Sequence, residues 1–209
     1  MNSDTIASKY HFESAAAPHT AAYLTDHILA ACRQASARKV LDLGCGNGTL
    51  CGALSAAGFE VVGCDPSEAG IEFARHTYPH IPFHRLGVYD DPALLGHGGF
   101  DLVVSTEVIE HIFLPRALPR FASKVLRKGG HLVLTTPYHG YIKNLALAIS
   151  GKLDAHFTVL WDGGHIKFWS RATLSQLLLE EGFVVTGFIG AGRIPYLWKS
   201  MIVIAQSGA

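Results

Sequence analysis

Residues 40–50, VLDLGCGNGTL, run an apolar stretch straight into a turn with glycine at positions 44, 46 and 48. The pattern predicts a strand that ends in a glycine-rich turn and opens a helix, the first half of a βαβ unit. The rest of the chain keeps that rhythm. FEVVGCD, IPFHRLGV, FDLVVST and HLVLTTP read as further strands, with SEAGIEFARHTY and IEHIFLPRALPRFASKVLRKGG as the helices between them. Such alternation predicts an α/β fold, a doubly wound parallel sheet with helices on both faces. After Pro137 the rhythm fails over 138–169, an aromatic, glycine-broken stretch that reads as an insertion. Order returns with a helix at ATLSQLLLEEG, strands at FVVTGFIG and SMIVIAQ, and a loop, AGRIPYLWK, between them. The first 36 residues, alanine-rich with an early break at Pro18, read as an N-terminal lid and helix.

Composition narrows the class. A length of 209 residues with 49% hydrophobic content suits one domain, 1–209, with a full core. Basic and acidic residues number 17 each, so no net field draws the chain to polyanions and nucleic acid is disfavoured as a partner. Cys32, Cys45, Cys51 and Cys64 form no CxxC pair and read as reduced core residues of a cytoplasmic protein. The N-terminal MNSDTIASKYHFES has no apolar signal core, and no apolar run reaches the roughly 20 residues that span a bilayer. The chain is expected to be soluble or, at most, peripheral to a membrane.

Two clusters carry chemistry. In the first, Gly44 and Gly46 let backbone approach a ligand while the next strand ends in Asp65, placed to accept both hydroxyls of a ribose. The spacing departs from the dinucleotide pattern G-x-G-x-x-G, because Thr49 stands where the third glycine belongs; a dehydrogenase is the competing enzyme. In the second, STEVIEHI gathers Glu107, Glu110 and His111 within five positions. On a helix these side chains share a face, and the like charges call for a cation between them. The alternative is structural, with Glu107 capping a helix and His111 covering apolar surface.

VLDLGCGNG, VVGCDPS, FDLVVSTEVIEH and VLRKGGHLVLTTP together resemble the class I S-adenosylmethionine-dependent methyltransferases. The resemblance implies seven strands with the last antiparallel and the cofactor over the carboxyl ends of the first strands. It implies that Asp42, Gly44, Cys45, Gly46 and Gly48 face the methionine part of S-adenosyl-L-methionine and that Asp65 and Pro66 take the ribose side. Gly87 and Val88 would meet the adenine through backbone, with Asp90 a weaker candidate, and Thr106 completes the cofactor set. The EVIEH segment is similar to E-x-x-E-H of the ubiquinone-biosynthesis O-methyltransferases and the small-RNA 2′-O-methyltransferases. There it implies a divalent metal, here held by Glu107, Glu110 and His111, with His165 of GGHIKFWS as the fourth ligand. Carboxylates with imidazoles suit Mn²⁺ or Co²⁺ on softness and Mg²⁺ by abundance.

These readings converge on a metal-assisted O-methyltransferase for a small-molecule or lipid-linked acceptor with adjacent hydroxyls. A metal-independent N- or O-methyltransferase would use His111 or His139 as base. A non-catalytic, cofactor-binding scaffold of a membrane biosynthetic complex is the third reading. The insertion resembles that of the ubiquinone O-methyltransferases, which implies a surface for a prenylated acceptor and peripheral membrane contact through 141–161; a lid packed on the core is the alternative. Arg193, Tyr196 and Trp198 in the last loop are placed to frame the acceptor. Neither the acceptor nor the oligomeric state is written in the sequence.

Overall fold

The computed structural model describes residues 19–157 and 159–208. The first 18 positions of the expected N-terminal lid therefore lie outside the described residues, and its remainder is helix α1, Ala21–Gln34. The chain continues through β1 (Lys39–Leu43), α2 (Thr49–Ala56), β2 (Glu60–Asp65), α3 (Glu68–Thr77), β3 (Phe83–Arg85) and β4 (Phe100–Thr106). Then follow α4 (Ala117–Val125), β5 (Leu126–Pro137), α5 (Tyr141–Ile149), α6 (Leu153–Phe157), α7 (Arg171–Glu180), β6 (Phe183–Ala191) and β7 (Ser200–Ser207). One sheet of seven strands results, in the order β3-β2-β1-β4-β5-β7-β6. β7 alone runs against its neighbours, pairing Val133 with Ile204 on one side and Phe188 with Val203 on the other.

Side-chain alternation explains why both faces are covered. Val40, Leu102, Val104 and Val133 point into one apolar layer, where Leu24 and Ile28 of α1, Leu54 of α2 and Ile71 of α3 pack on them. Their neighbours Leu41, Val103, Leu132 and Leu134 point the other way, against Leu118 and Phe121 of α4 and Leu174 and Leu178 of α7. A period of two places successive residues on opposite faces, so central strands buried on both sides read as continuous apolar runs. All four cysteines are buried free thiols in these layers or at their edge. No helix among the described residues is long and apolar enough to cross a membrane.

The sheet order fixes where a ligand can sit. From β1 the chain winds outward to β2 and β3, then returns to β4 on the other side of β1. At that switch the connections diverge and leave a crevice outside the carboxyl ends of β1 and β4. The segment expected as one helix from Ile109 to Gly130 is different. It is a 3₁₀ turn, Ile109–His111, then a loop through Pro115, then α4, and the Arg127–Gly130 stretch already belongs to β5. Pro115 and Pro119 explain the break, since proline lacks an N–H and is accommodated in a first helical turn but not further along.

Candidate active site

At the crevice lies a cavity of about 880 Å³, roofed by the start of α1 and by α5. Asp42, Gly44, Cys45, Gly46, Asp65, Pro66, Gly87, Val88 and Thr106 all line it. Gly44, at φ +88°, leaves no room for a side chain, because a Cβ there would stand 2.5 Å from Val108 Cγ2. Gly48 is the exception among the expected residues. It faces Ala74 and Phe83 at the N-cap of α2, away from the cavity, while Asn47, unremarked in the sequence, lines it instead.

Asp65 has a second task. Its Oδ2 accepts from Gly46 N at 3.0 Å and its Oδ1 from Ser67 N at 2.8 Å, so one carboxylate ties the glycine turn to the start of α3. Burial raises its pKa, and those two backbone donors hold it down. Each oxygen keeps a lone pair for a ligand. Asp42 is deeper: burial pushes its carboxyl up to about 7 and Cys51 Sγ donates to it at 3.2 Å. Asp90 accepts from Gly87 N at 2.7 Å and serves the turn rather than lining the cavity.

At the far end of the cavity Glu110, His111 and His165 converge, with ligand atoms within 4.8 Å of one another. The Nε2 atoms of both histidines stand 3.9 Å from Glu110 Oε1, beyond hydrogen-bonding distance. Glu110 is fully buried; Thr136 Oγ1 donates to its Oε2 at 2.9 Å, while Oε1 has no hydrogen-bond partner. Burial, then the charge of Glu107, pushes the Glu110 carboxyl well above its usual range. His111 Nδ1 lies 3.0 Å from Gly163 O, which can only accept, so that nitrogen carries the proton and Nε2 presents its lone pair. Burial lowers the pKa of both imidazoles, that of His165 to about 4, with His111 adding to the effect there. Two backbone bonds, Ile166 N and Lys167 N to Glu110 O at 2.9 and 3.0 Å, lock the His165 segment onto the 3₁₀ turn.

Such a donor set fits a divalent cation. A buried carboxylate oxygen with no partner and two neutral imidazoles aimed at it are a costly arrangement unless an ion or a proton fills it.

Glu107 lines the cavity but turns elsewhere. Its backbone is left-handed, φ 53°, so it does not sit on a helix face with Glu110 as the sequence spacing suggested. Its carboxylate accepts from Thr135 Oγ1 at 2.8 Å and Ser200 Oγ at 3.2 Å, and Tyr23 Oη lies 3.3 Å from Ser200 Oγ. Burial raises it to about 7. His139, expected at the rim, is absent from the cavity wall; it is buried beside Phe157, Phe168 and His156. Burial lowers its pKa to about 4. Lys143 was not foreseen at all. It is the buried residue of α5, reaches into the cavity wall, and donates to Tyr138 O at 2.8 Å and Lys199 O at 3.3 Å.

A seven-stranded sheet with one reversed strand, and a glycine turn facing an acid across its switch point, is the architecture of a methyltransferase domain. The family model of that description matches residues 16–187, and the chain belongs to that family. Among known proteins it is similar to the ubiquinone biosynthesis O-methyltransferase of Bradyrhizobium diazoefficiens, 32% identical over 170 residues, 77% of this chain and 64% of the relative's length. In fold it resembles magnesium protoporphyrin IX methyltransferase from Synechocystis, solved with bound SAH, at 21% identity and TM-score 0.65, covering 88% of this chain and 82% of that one. It also resembles the methyltransferase domain of a bacterial Hen1, at 22% identity and TM-score 0.63, covering 88% and 97%.

Proposed function

We propose that the chain is an S-adenosylmethionine-dependent O-methyltransferase, assisted by a divalent cation, acting on a small or lipid-linked acceptor with adjacent hydroxyls. The observation that carries the reading is the continuity of one cavity from the glycine turn and Asp65 at one end to Glu110, His111 and His165 at the other. Similarity to a ubiquinone biosynthesis O-methyltransferase supports oxygen as the atom methylated.

Each residue then has a task. Asp65 accepts the ribose hydroxyls, the Gly44–Gly46 backbone lies along the methionine part, and Gly87 and Val88 meet the adenine. The acceptor oxygen attacks the sulfonium methyl carbon in line, the carbon–sulfur bond leaves its electrons on sulfur, and the acceptor proton must depart. Rate therefore depends on holding donor and acceptor aligned and the oxygen anionic at attack. Glu110, His111 and His165 would hold the cation, which, when bound, lowers the pKa of an oxygen ligand. Glu107 shapes the wall between the two ends through Thr135 and Ser200, and its charge raises the Glu110 pKa until a cation compensates. Without a cation, the lone pair on His111 Nε2 would receive the proton; His139, off the wall, would not.

Replacing Glu110 by Gln tests the reading, because it keeps the shape while removing a charged ligand. Methyl transfer to a catechol should fall about 100-fold or more, by analogy with loss of one electrostatic stabiliser, and added Mn²⁺ should restore part of it. Full transfer by wild-type protein in excess EDTA would refute the metal and leave His111 as base.

The outer surface of α5 supports the lipid-linked option. Tyr141 is 93% exposed and Ile149 80%, with Ile142 and Leu145 also uncovered. An apolar patch of this kind beside a cavity mouth is a surface for acyl or prenyl chains.

A further inference from the structure

On α5 the large apolar side chains Tyr141, Ile142, Leu145 and Ile149 are exposed, while its one lysine is buried in the cavity wall beside Ala146 and Leu147. An ammonium group is rarely buried without a paired charge. Among the described residues the Lys143 ammonium donates to two neutral carbonyls and makes no ion pair. Arg193, in the loop after β6, lines the same cavity and has no ion pair or hydrogen bond among the described residues. His156 of α6 also lines the cavity, its Nε2 buried and without a hydrogen-bond partner among the described residues. Burial, and then Arg193, lower Lys143 to about 8, and Glu107 offsets this less than Arg193 adds. Burial, then Lys143 and Arg193, also lower the His156 pKa. Lys152 and Lys199 also line the cavity, and of its acids Glu107 is the one whose charge acts on Lys143, its carboxylate already held by Thr135 and Ser200.

We propose that Lys143, Arg193 and His156 form an anion-binding subsite for a carboxylate or phosphate carried by the methyl acceptor. This rests on the methyl-transfer reading above and narrows its substrate class from any acceptor with adjacent hydroxyls to hydroxylated oxyacids. The guanidinium supplies a planar, two-pronged donor, the ammonium a point charge with one proton to give, and the imidazole a neutral donor. An anion between them relieves the repulsion of two cations and gives the orphaned His156 nitrogen a partner. Because the subsite and the Glu110 cluster line one cavity, an anion held at the first would present the acceptor's hydroxyls to the second.

Binding of 3,4-dihydroxybenzoate and of the neutral 4-methylcatechol, measured by calorimetry on the full chain with S-adenosylhomocysteine bound, reads the subsite without turnover. Wild type should prefer the charged probe by about tenfold or more, the size of charge-assisted hydrogen bonds. Arg193→Gln, at an exposed position, should reduce that preference below about threefold with S-adenosylhomocysteine affinity unchanged. Lys143→Gln should act in the same direction, with its melting temperature reporting any loss of folding. Displacement of the charged probe by benzoate assigns a carboxylate, and displacement by inorganic phosphate assigns a phosphate; both support the subsite. Equal binding of the two probes by wild type, or an unaltered preference in Arg193→Gln, overturns it. Weakened S-adenosylhomocysteine binding in Arg193→Gln also overturns it, since the anion would then be the cofactor's own carboxylate. If wild type binds the charged probe preferentially but transfers no methyl group to it, the O-methylation reading fails and the subsite stands.

Discussion

Asp65 shows how one residue can be right in the sequence and incomplete. Its place at the end of β2 marks it for a ribose, yet its two oxygens also hold Gly46 and Ser67 by their backbone N–H groups. Asp65→Ala should therefore weaken S-adenosylhomocysteine binding by about 1–3 kcal/mol and also loosen the turn, lowering the melting temperature. Asp65→Asn keeps one acceptor oxygen and should recover more of the stability than of the affinity; equal recovery of both would show that the ribose lies elsewhere. Gly44 offers a cleaner separation. Alanine there meets Val108 at 2.5 Å and must hold φ +88°, so Gly44→Ala should cost about 1–3 kcal/mol in thermal unfolding. Adding Val108→Ala removes the clash and leaves the backbone strain, so partial rescue is expected; complete rescue would mean that the left-handed backbone costs nothing. Glu107 was misplaced in the sequence because a lone left-handed residue has no periodic signature, and a helix face was the simplest geometry its spacing allowed.

Elements were legible where period and context agree and lost where they conflict. β1, β2, β4 and β5 announce themselves as apolar runs ending at glycine, acid or proline, because strands buried on both faces need little else. Ile109–Val125 misled because its apolar spacing suits a helix while Pro115 ends one, a conflict that resolves as a short 3₁₀ turn and a separate helix. α5 misled more subtly. Nearly apolar all round, it gave no sign of which face goes in, and the buried face is chosen by what Lys143 can reach: two carbonyls and the cavity. The exposed face carries a prediction of its own. Wild-type protein should co-sediment weakly and reversibly with phosphatidylcholine–phosphatidylglycerol vesicles, as a short apolar patch allows. Leu145→Glu, at a position 60% exposed, should abolish this with no change in melting temperature. Identical sedimentation of the two proteins would rule out α5 as the contact.

At the scale of the molecule, chemistry is distributed along one sheet edge so that each half of the cavity rests on different strands. The cofactor end hangs on β1 and β2, through Gly44, Gly46 and Asp65. The Glu/His end hangs on the turn after β4, tied to the insertion by Ile166 and Lys167 and to β5 by Thr136. Asp65 holds Gly46 and Ser67, whereas Glu110 is held by Thr136 and by the Ile166–Lys167 backbone, so ligands at the two ends should stabilise the fold separately. Saturating S-adenosylhomocysteine at 100 times its dissociation constant should stabilise the native state by about 2.7 kcal/mol, read as a rise in melting temperature. That rise should persist in excess EDTA, and Mn²⁺ should add its own increment, which Glu110→Gln should reduce. Ligand effects at distant, unshared positions add to within a few tenths of a kcal/mol, roughly as mutations at such sites do. Loss of the S-adenosylhomocysteine shift in EDTA would show instead that the cation orders the cofactor end, making metal and cofactor a single binding unit rather than two neighbours in one crevice.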